Sequence, residues 1–336
     1  MKSFMRVLFI GGTGNISTDC ADLLARRGHE IWVLTRGRIP VPASFRALRA
    51  DRKDPAAMRT ALDGRMPEVV LNFLGYEVSD VRADFEVFHG AVRQYVFISS
   101  ASVYAKPPPR LPITEDTPLS NPWWDYSQKK IACENWLKER VASENFPVTI
   151  VRPSHTYSKL WVPNPVSSAG YTFAARLEQG KPVFVPNDGE NPWTLTAASD
   201  FAVGLAGLVG HEEALGEAFH ITSDEVLTWN QIVEEIAAAV GARAPQVMKI
   251  PADFICEAAP ELTGTLKGDK IHPGIFDNTK LMGLVPDFTT RKPLRVGLAE
   301  SVAYLRQAPK EQSYNPKVDA WCEKVIGAWT QRARSS

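Results

Sequence analysis

A glycine cluster directly after the first apolar run constrains the fold of this chain more than any other feature. Residues 7–10 are apolar and lead into Gly11-Gly12-Thr13-Gly14-Asn15, after which apolar side chains recur at helical spacing (Ile16, Cys20, Leu23 and Leu24). Residues 30–34 predict a second strand. A strand, a glycine turn, a helix and a strand within roughly thirty residues indicate a βαβ unit, whose helix N-terminus can bind a pyrophosphate. An ordinary βα turn that contains glycine is the alternative, and the flanking strand and helix favour the dinucleotide site.

The end of the second predicted strand indicates which dinucleotide would bind. NAD-binding units usually place an acidic residue there to bind the ribose hydroxyls. This chain has Thr35, followed by Arg36 and Arg38. Threonine does not repel a 2′-phosphate, and arginine can bind one in a forked geometry. The pattern therefore favours NADP, with NAD as the alternative cofactor and a solvated basic turn as the alternative structure.

Composition limits the classes of protein to which the chain can belong. Its 336 residues are 44% hydrophobic and 23% charged, which predicts a large core divided into two domains or one domain with a lobe. The 38 basic and 38 acidic residues balance, so no basic excess is available for nucleic acid. No apolar run reaches the length of a membrane span, and four scattered cysteines and six histidines show no metal-binding spacing. We expect a cytoplasmic protein without a metal, a membrane contact or a nucleic-acid partner.

The following strand ends place further polar residues beside the glycine turn. Asp51 is positioned to meet an adenine amino group, or alternatively to cap a helix that begins near Asp54. Residues 67–75 predict a buried parallel strand, and residues 84–92 predict the helix after it. Residues 94–98 predict the next strand, which runs into Ser99-Ser100-Ala101-Ser102. In a doubly wound sheet, such strand ends face the ligand.

A helix predicted from the stretch at residues 123–130 to about residue 144 carries a tyrosine and a lysine four residues apart. Tyr126 and Lys130 therefore share one face, while Ile131, Leu137 and Val141 are predicted to be buried. A lysine ammonium close to a phenol favours the phenolate, so we expect the pKa of Tyr126 to fall below about 10. An exposed pair without a function is the alternative for these two residues taken alone.

Taken in order, these elements resemble the extended short-chain dehydrogenase/reductase superfamily, specifically its NAD(P)-dependent epimerase/dehydratase family. Further matches are Val148-Thr149-Ile150-Val151-Arg152-Pro153, Phe219-His220-Ile221-Thr222 and Phe276-Asp277-Asn278-Thr279-Lys280. The resemblance implies an α/β fold, with a doubly wound parallel sheet (Rossmann) and a second, smaller substrate-binding lobe. It assigns residues 1–160, with a returning segment at about 196–223, to the Rossmann domain. Residues 161–195 and 224–330 would form the lobe, and the protein would be a homodimer.

The resemblance also implies a role for each matching residue. Tyr126 would be the acid/base, Lys130 would tune its pKa and bind the nicotinamide ribose, and Ser100 would bind the reacting oxygen. The expected activity is epimerase-type oxidoreduction of a secondary alcohol of a sugar or glycoside through a transient ketone. A one-way ketone or aldehyde reductase is the alternative, and a nucleotide-sensing or RNA-associated relative is the alternative of another class.

The residues expected to bind the cofactor are Gly11, Thr13, Gly14, Asn15, Ile16, Thr35, Arg36, Arg38, Asp51, Arg52, Asn72, Leu74, Ser99 and Pro153.

Departures from the family pattern bear on the substrate. Ser17 replaces the third glycine of the turn, and Trp193 aligns where sugar-nucleotide epimerases have an arginine that holds the substrate pyrophosphate. We therefore expect a substrate without a nucleoside diphosphate. The acidic residues Glu178, Asp188 and Glu190 favour one that carries amino or hydroxyl groups rather than phosphates. Substrate contacts, or simple core packing in the case of the tryptophans, are expected at Ser102, Trp123, Trp124, His155, Trp161 and Trp193.

Overall fold

A seven-stranded parallel sheet forms the frame of the molecule. The structure is a computed structural model that describes residues 4–166, 170–309 and 314–335. The strands of this sheet are β1 (Arg6–Ile10), β2 (Glu30–Thr35), β3 (Arg46–Arg49), β4 (Val69–Asn72), β5 (Gln94–Ile98), β6 (Val148–Pro153) and β10 (Ala218–Ile221). Their spatial order is β10-β6-β5-β4-β1-β2-β3. The order reverses between β1 and β4, which creates the crevice where doubly wound sheets bind ligands. The predicted fold class is confirmed.

Helices cover both faces of this sheet because its strands are apolar on both faces. Val7 and Phe9 of β1 pack in one cluster, and Leu8 and Ile10 pack in another. Successive strand residues point to opposite faces, so a continuous apolar run requires a cover on each side. The first cluster contains residues of α1 (Ser17–Arg26) and α6 (Ala198–Leu208). The second contains residues of α2 (Pro55–Leu62), α3 (Val78–Phe88) and α4 (Asp125–Glu144).

Local capping determines where two of these helices begin. Asp54 caps α2 by accepting a hydrogen bond from the Ala57 amide at 3.0 Å, and Pro55 follows at the first helical position. Helix α3 begins at Val78 because Glu77 and Asp80 form a capping box, so the prediction of residues 84–92 was wrong at both ends. An acidic cap in place of serine or threonine is the reason that the start was missed.

The buried face of α4 is more polar than predicted. Leu137 is buried as expected, but Ile131 and Val141 are only partly buried. Ser127, Lys130 and Glu134 lie on the buried face instead. The face of α4 that carries the candidate catalytic residues is thus the face that packs against the sheet.

A second core lies beyond the main sheet. It is built on the short strands β7 (His155–Tyr157), β8 (Val183–Pro186), β9 (Pro192–Ala197), β11 (Val226–Thr228) and β12 (Val247–Ile250). These form a β11-β9-β7 sheet and a β12-β8 pair. The remaining helices are α5 (Thr172–Glu178), α7 (Trp229–Val240), α8 (Ala252–Ala258), α9 (Thr263–Thr265), α10 (Thr279–Leu284), α11 (Leu294–Gln307) and α12 (Pro316–Ser335). We propose that the second core is a domain of its own.

The C-terminal helix α12 packs on this second core. Val325 is fully buried there, and Trp321 and Trp329 pack partly buried against the same cluster. The apolar stripe of α12 is therefore covered by its own chain. Among the described helices, none is long and apolar enough to cross a membrane.

Candidate active site

The first cavity opens at the carboxyl ends of β1, β2, β3 and β4 and has a volume of about 530 Å³. Four consecutive residues of the glycine turn line it, and the arginines after β2 line its far side. A cleft of this shape at the switch point of a parallel sheet fits an extended dinucleotide. The predicted cofactor residues that line it are Gly11, Thr13, Gly14, Thr35, Arg36, Arg38, Asp51, Arg52 and Leu74.

The glycine turn has the geometry that this cleft requires. Gly11 has a φ of +90°, and a Cβ atom there would lie 2.5 Å from the Cγ atom of Leu74. Only glycine combines that backbone conformation with such a close approach. Helix α1 begins at Ser17, whose hydroxyl oxygen accepts a hydrogen bond from the Gly14 amide at 2.8 Å. The backbone can thus reach a pyrophosphate beside the N-terminus of a ten-residue helix.

Asp51 belongs to the cleft and not to the cap of α2. Asp54 provides that cap, while a carboxylate oxygen of Asp51 accepts a hydrogen bond from the Lys53 amide at 3.0 Å. The alternative in which Asp51 caps the helix is therefore wrong. Contact between Asp51 and an adenine remains a prediction.

Arg52 and Asn72 hold the β4–α3 loop. The Arg52 guanidinium lies 3.2 Å from a carboxylate oxygen of Asp80, and it donates a 2.6 Å hydrogen bond to the Leu74 carbonyl. The Asn72 side chain is fully buried and accepts a hydrogen bond from the Leu74 amide at 2.8 Å. Asn72 also donates to Tyr95, and its contact with a cofactor remains a prediction. Both residues position Leu74, which itself faces the cleft.

The remaining predicted cofactor residues lie elsewhere. Asn15 joins the glycine turn to the second core by donating to the Thr156 carbonyl at 2.9 Å and accepting from the Ser158 hydroxyl at 2.6 Å. Ser99 is buried and lines neither of the two large cavities. Ile16 and Pro153 line the second large cavity. Their contact with a dinucleotide stays a prediction.

A second cavity of about 310 Å³ lies between the two cores and contains the candidate catalytic residues Ser100 and Tyr126. Strand β5 ends immediately before the serine pair, and Tyr126 stands in the first turn of α4. Of the predicted substrate residues, Ser102, Trp124, His155, Trp161 and Trp193 line this cavity. Trp123 does not line it: its side chain is 50% exposed, and the Lys267 ammonium lies 5.7 Å from its ring.

A chain of three hydroxyl groups ends at Ser100. The buried Ser127 hydroxyl donates to the Ser102 oxygen at 2.8 Å, and the Ser102 oxygen lies 2.9 Å from the Ser100 oxygen. The Ser102 amide also donates to the Ser100 oxygen at 3.2 Å. Because Ser102 accepts from Ser127, its own proton can go to Ser100, whose proton can then go to Tyr126 or to a ligand oxygen. Ser127 was not among the residues predicted from the sequence, although it directly follows Tyr126.

Lys130 is buried and connects two backbone segments through hydrogen bonds. Its ammonium donates to the carbonyl oxygens of Gly75 and Ile98, both at 2.7 Å, and it lies 5.9 Å from the centre of the Tyr126 ring. Burial lowers the pKa of Lys130 to about 8. The lysine thus ties the β4–α3 loop to the end of β5, beneath the tyrosine.

The pKa of Tyr126 moves in the direction opposite to the prediction. Burial raises the pKa of its hydroxyl to about 12, and the hydrogen bond with Ser100 opposes this rise only in part. The loss of water around the phenol is the largest cause of this rise, and the charge of Asp269 raises the pKa of Tyr126 further. Tyr126 is therefore a neutral phenol at neutral pH and can donate a proton.

The acidic residues expected to bind amino groups lie outside this cavity. Glu178 pairs with Arg306 at 2.6 Å, and the Glu190 carboxylate accepts a hydrogen bond from Asn230. Asp188 is exposed. The cavity contains Asp269 and Lys270 instead, so these three acidic residues do not support an amine-bearing substrate. No group of three or more His, Cys, Asp or Glu side chains in the described ranges could hold a metal ion.

Comparison with known proteins identifies relatives over most of the chain. The model of the NAD dependent epimerase/dehydratase family matches residues 85–221. A 2′-dehydrokanamycin reductase of Streptomyces kanamyceticus is 26% identical over 292 residues, which cover 85% of this chain and 81% of the relative. The chloroplast stem-loop binding protein of 41 kDa b of Arabidopsis thaliana is 28% identical over 74% of this chain and 66% of its own length. Among solved structures, UDP-glucose 4-epimerase from Bifidobacterium longum, in complex with NAD+ and UDP, superposes with a TM-score of 0.73 at 18% identity, covering 90% of this chain and 99% of that one.

Proposed function

We propose that this chain, whose residues 85–221 match the model of the NAD dependent epimerase/dehydratase family, is an NAD(P)H-dependent oxidoreductase that reduces a ketone of a sugar or glycoside to a secondary alcohol. One observation carries the proposal: a phenol with a raised pKa stands beside an oriented serine hydroxyl in one cavity. A bound NAD(P)H supplies the hydride. The protein then has to bind the ketone, polarise its oxygen and deliver one proton to it.

Tyr126 and Ser100 have different roles at the ketone oxygen. The protonated Tyr126 gives its proton to the oxygen as negative charge develops there. Ser100 donates a hydrogen bond to the same oxygen, because its own oxygen atom accepts from the Ser102 amide and lies 2.9 Å from the Ser102 hydroxyl, which can also donate to it. Lys130 donates to the carbonyl oxygen of Ile98, two residues before Ser100, and follows Tyr126 by one turn on α4, so it links the two groups.

Epimerisation is the second candidate function. The same residues would run the reaction in both directions, and the likeness to the UDP-glucose 4-epimerase of Bifidobacterium longum concerns the fold. Oxidation of an alcohol requires Tyr126 as a phenolate, which its raised pKa disfavours. This observation ranks reduction first. An RNA-associated role, suggested by the Arabidopsis relative, is disfavoured by the balance of 38 basic and 38 acidic residues.

The cavity favours a substrate without a nucleoside diphosphate. A desolvated diphosphate needs several cationic partners, and Lys270 is the only cationic residue among the described residues lining this cavity. Trp193, at the position expected to bind a pyrophosphate, is buried and stacked on Trp229 with ring centres 5.2 Å apart. An indole in that setting offers no positive charge.

Titration of the NADP-saturated protein with UDP, dTDP and GDP tests this proposal by calorimetry. We expect each to bind more weakly than about 1 mM, which corresponds to roughly −4 kcal/mol. Binding of NADP to the cofactor-free protein serves as the positive control. Micromolar affinity for any of the three nucleotides would restore a nucleotide-sugar substrate.

We propose NADP as the preferred cofactor, with NAD as the alternative. Thr35, Arg36 and Arg38 line the cleft together, and Thr35 stands at the strand end where an NAD-binding unit usually has an acidic residue. Arg36→Ala should weaken NADP binding about 10- to 100-fold, because a hydrogen bond between charged groups contributes roughly 1.5–3 kcal/mol. NAD binding should change little. Arg27→Ala, at the exposed end of α1, is the matched control, and equal weakening of both cofactors would assign Arg36 to a solvated turn.

A further inference from the structure

Lys270 is a charged residue with few partners in the second cavity, which contains Ser100 and Tyr126 and is called the catalytic cavity below. It lies at the end of the π-helical segment Leu266–Lys270 and is 2% exposed. Its ammonium donates to the Asn164 carbonyl at 3.0 Å and lies 5.3 Å from the Trp229 ring centre. Among the described residues, no carboxylate lies close enough to the Lys270 ammonium to form an ion pair with it. Among the described residues its ammonium donates one hydrogen bond, to a neutral acceptor, so two of its three N–H donors can serve a ligand.

The neighbouring carboxylate is already neutralised by another lysine. Asp269 lines the same cavity, and its carboxylate lies 3.2 Å from the ammonium of Lys106. His155, also in the cavity, has its pKa held well below its usual value by burial and by the charge of Lys270, so it is neutral. The charges of Lys106 and Asp269 cancel, so the charge of Lys270 remains as one net positive charge at the cavity.

From this geometry we infer that Lys270 anchors a carboxylate of the substrate. The inference rests on the proposed oxidoreductase function and specifies its substrate class: a sugar or glycoside that bears one carboxylate group. A single buried ammonium matches a singly charged anion, and a diphosphate or an ammonium group does not match it. A buried cation is costly without a counter-charge, and a bound carboxylate would complete the hydrogen bonds of Lys270.

Three sugars of the same ring size test the inference directly. D-glucuronate, D-glucose and D-glucosamine carry a carboxylate, no charge and an ammonium, and each is titrated into the NADP-saturated full-length protein by calorimetry. We expect glucuronate to bind at least about tenfold more tightly than the other two, because charge-assisted hydrogen bonds contribute roughly twice as much as neutral ones. A glucuronate affinity equal to that of glucose, or no glucuronate binding at concentrations on the order of 10 mM, would overturn the inference.

Variants separate a charge effect from a packing effect. Lys270→Met removes the charge and keeps the chain length, and it should weaken glucuronate binding about 10- to 100-fold while leaving glucose binding unchanged. Lys270→Arg keeps the charge and should preserve the preference for glucuronate. Lys267→Met, in the same segment but paired with Asp253 at 2.7 Å and outside the cavity, is the matched control. Retention of the preference by Lys270→Met would assign Lys270 a purely structural role.

The pH dependence provides an independent readout. Burial lowers the pKa of Lys270 to about 8, against the charge of Asp269. Lysine is charged below its pKa, so glucuronate affinity should fall as the pH rises above about 8 in the wild type and stay flat in Lys270→Met. The oxidoreductase proposal is judged separately, since Tyr126→Phe should lose turnover and still bind glucuronate.

Discussion

Replacing Tyr126 with phenylalanine should reduce turnover by roughly 10²- to 10⁴-fold, the usual contribution of a positioned proton donor. The variant removes one hydroxyl and keeps the ring, which contacts Trp124 with ring centres 5.0 Å apart. Packing should therefore survive, and NADP affinity should change little. Single-turnover oxidation of NADPH with a ketone substrate measures the chemical step, and calorimetry measures cofactor binding.

The matched control for this variant is Tyr304→Phe. Tyr304 is 42% exposed on α11 and lines neither of the two large cavities, so removal of its hydroxyl should leave turnover unchanged. Near-normal turnover in Tyr126→Phe would remove the tyrosine from the mechanism. A parallel loss of cofactor affinity would show that it acts in binding instead.

Replacing Glu134 with glutamine should destabilise the protein by about 3–5 kcal/mol, the usual cost of breaking a buried ion pair. Arg152 and Glu134 meet between β6 and α4 with two hydrogen bonds of 2.9 and 2.6 Å, and both are buried. The variant leaves the guanidinium of Arg152 without its full counter-charge in a site that water does not reach. Urea unfolding followed by circular dichroism measures the loss.

Glu235→Gln provides the comparison, because Glu235 pairs with Arg295, whose side chain is 80% exposed. That change should cost less than about 1 kcal/mol. The double variant Glu134→Gln with Arg152→Met should recover part of the loss, since it removes the unpaired charge. Similar small effects of both single variants would mean that the buried pair adds little to the stability of the fold.

The outline of the fold could be predicted from the sequence because it depends on local patterns. The apolar run before Gly11 and the helical spacing after it indicate a βαβ unit without any distant contact. The positions of Ser100 and Tyr126 follow in the same way, one at a strand end and one in a helical turn, and both line one cavity. Parallel strands bring their carboxyl ends to a single edge, so strand-end residues converge there.

Side-chain direction and burial could not be obtained from such patterns. Asn72 ends its strand as predicted but donates to Tyr95 inside the core, because neighbouring strands and α3 supply its partners. Burial, not the charge of Lys130, dominates the pKa of Tyr126. The sequence shows the spacing of two residues but not the amount of water that surrounds them.

By itself, then, the sequence determined the doubly wound sheet, the glycine turn and the order of the candidate catalytic residues, because each depends on chain periodicity within a few residues. Only the tertiary structure decided that Ser127 orients Ser100 through Ser102 and that Lys270 stands in the catalytic cavity with its charge uncompensated. Ser100 and Lys270 are separated by 170 positions along the chain. Ser100 and Lys270 line the same cavity only because the second core packs against the sheet, and no local sequence pattern predicts that packing.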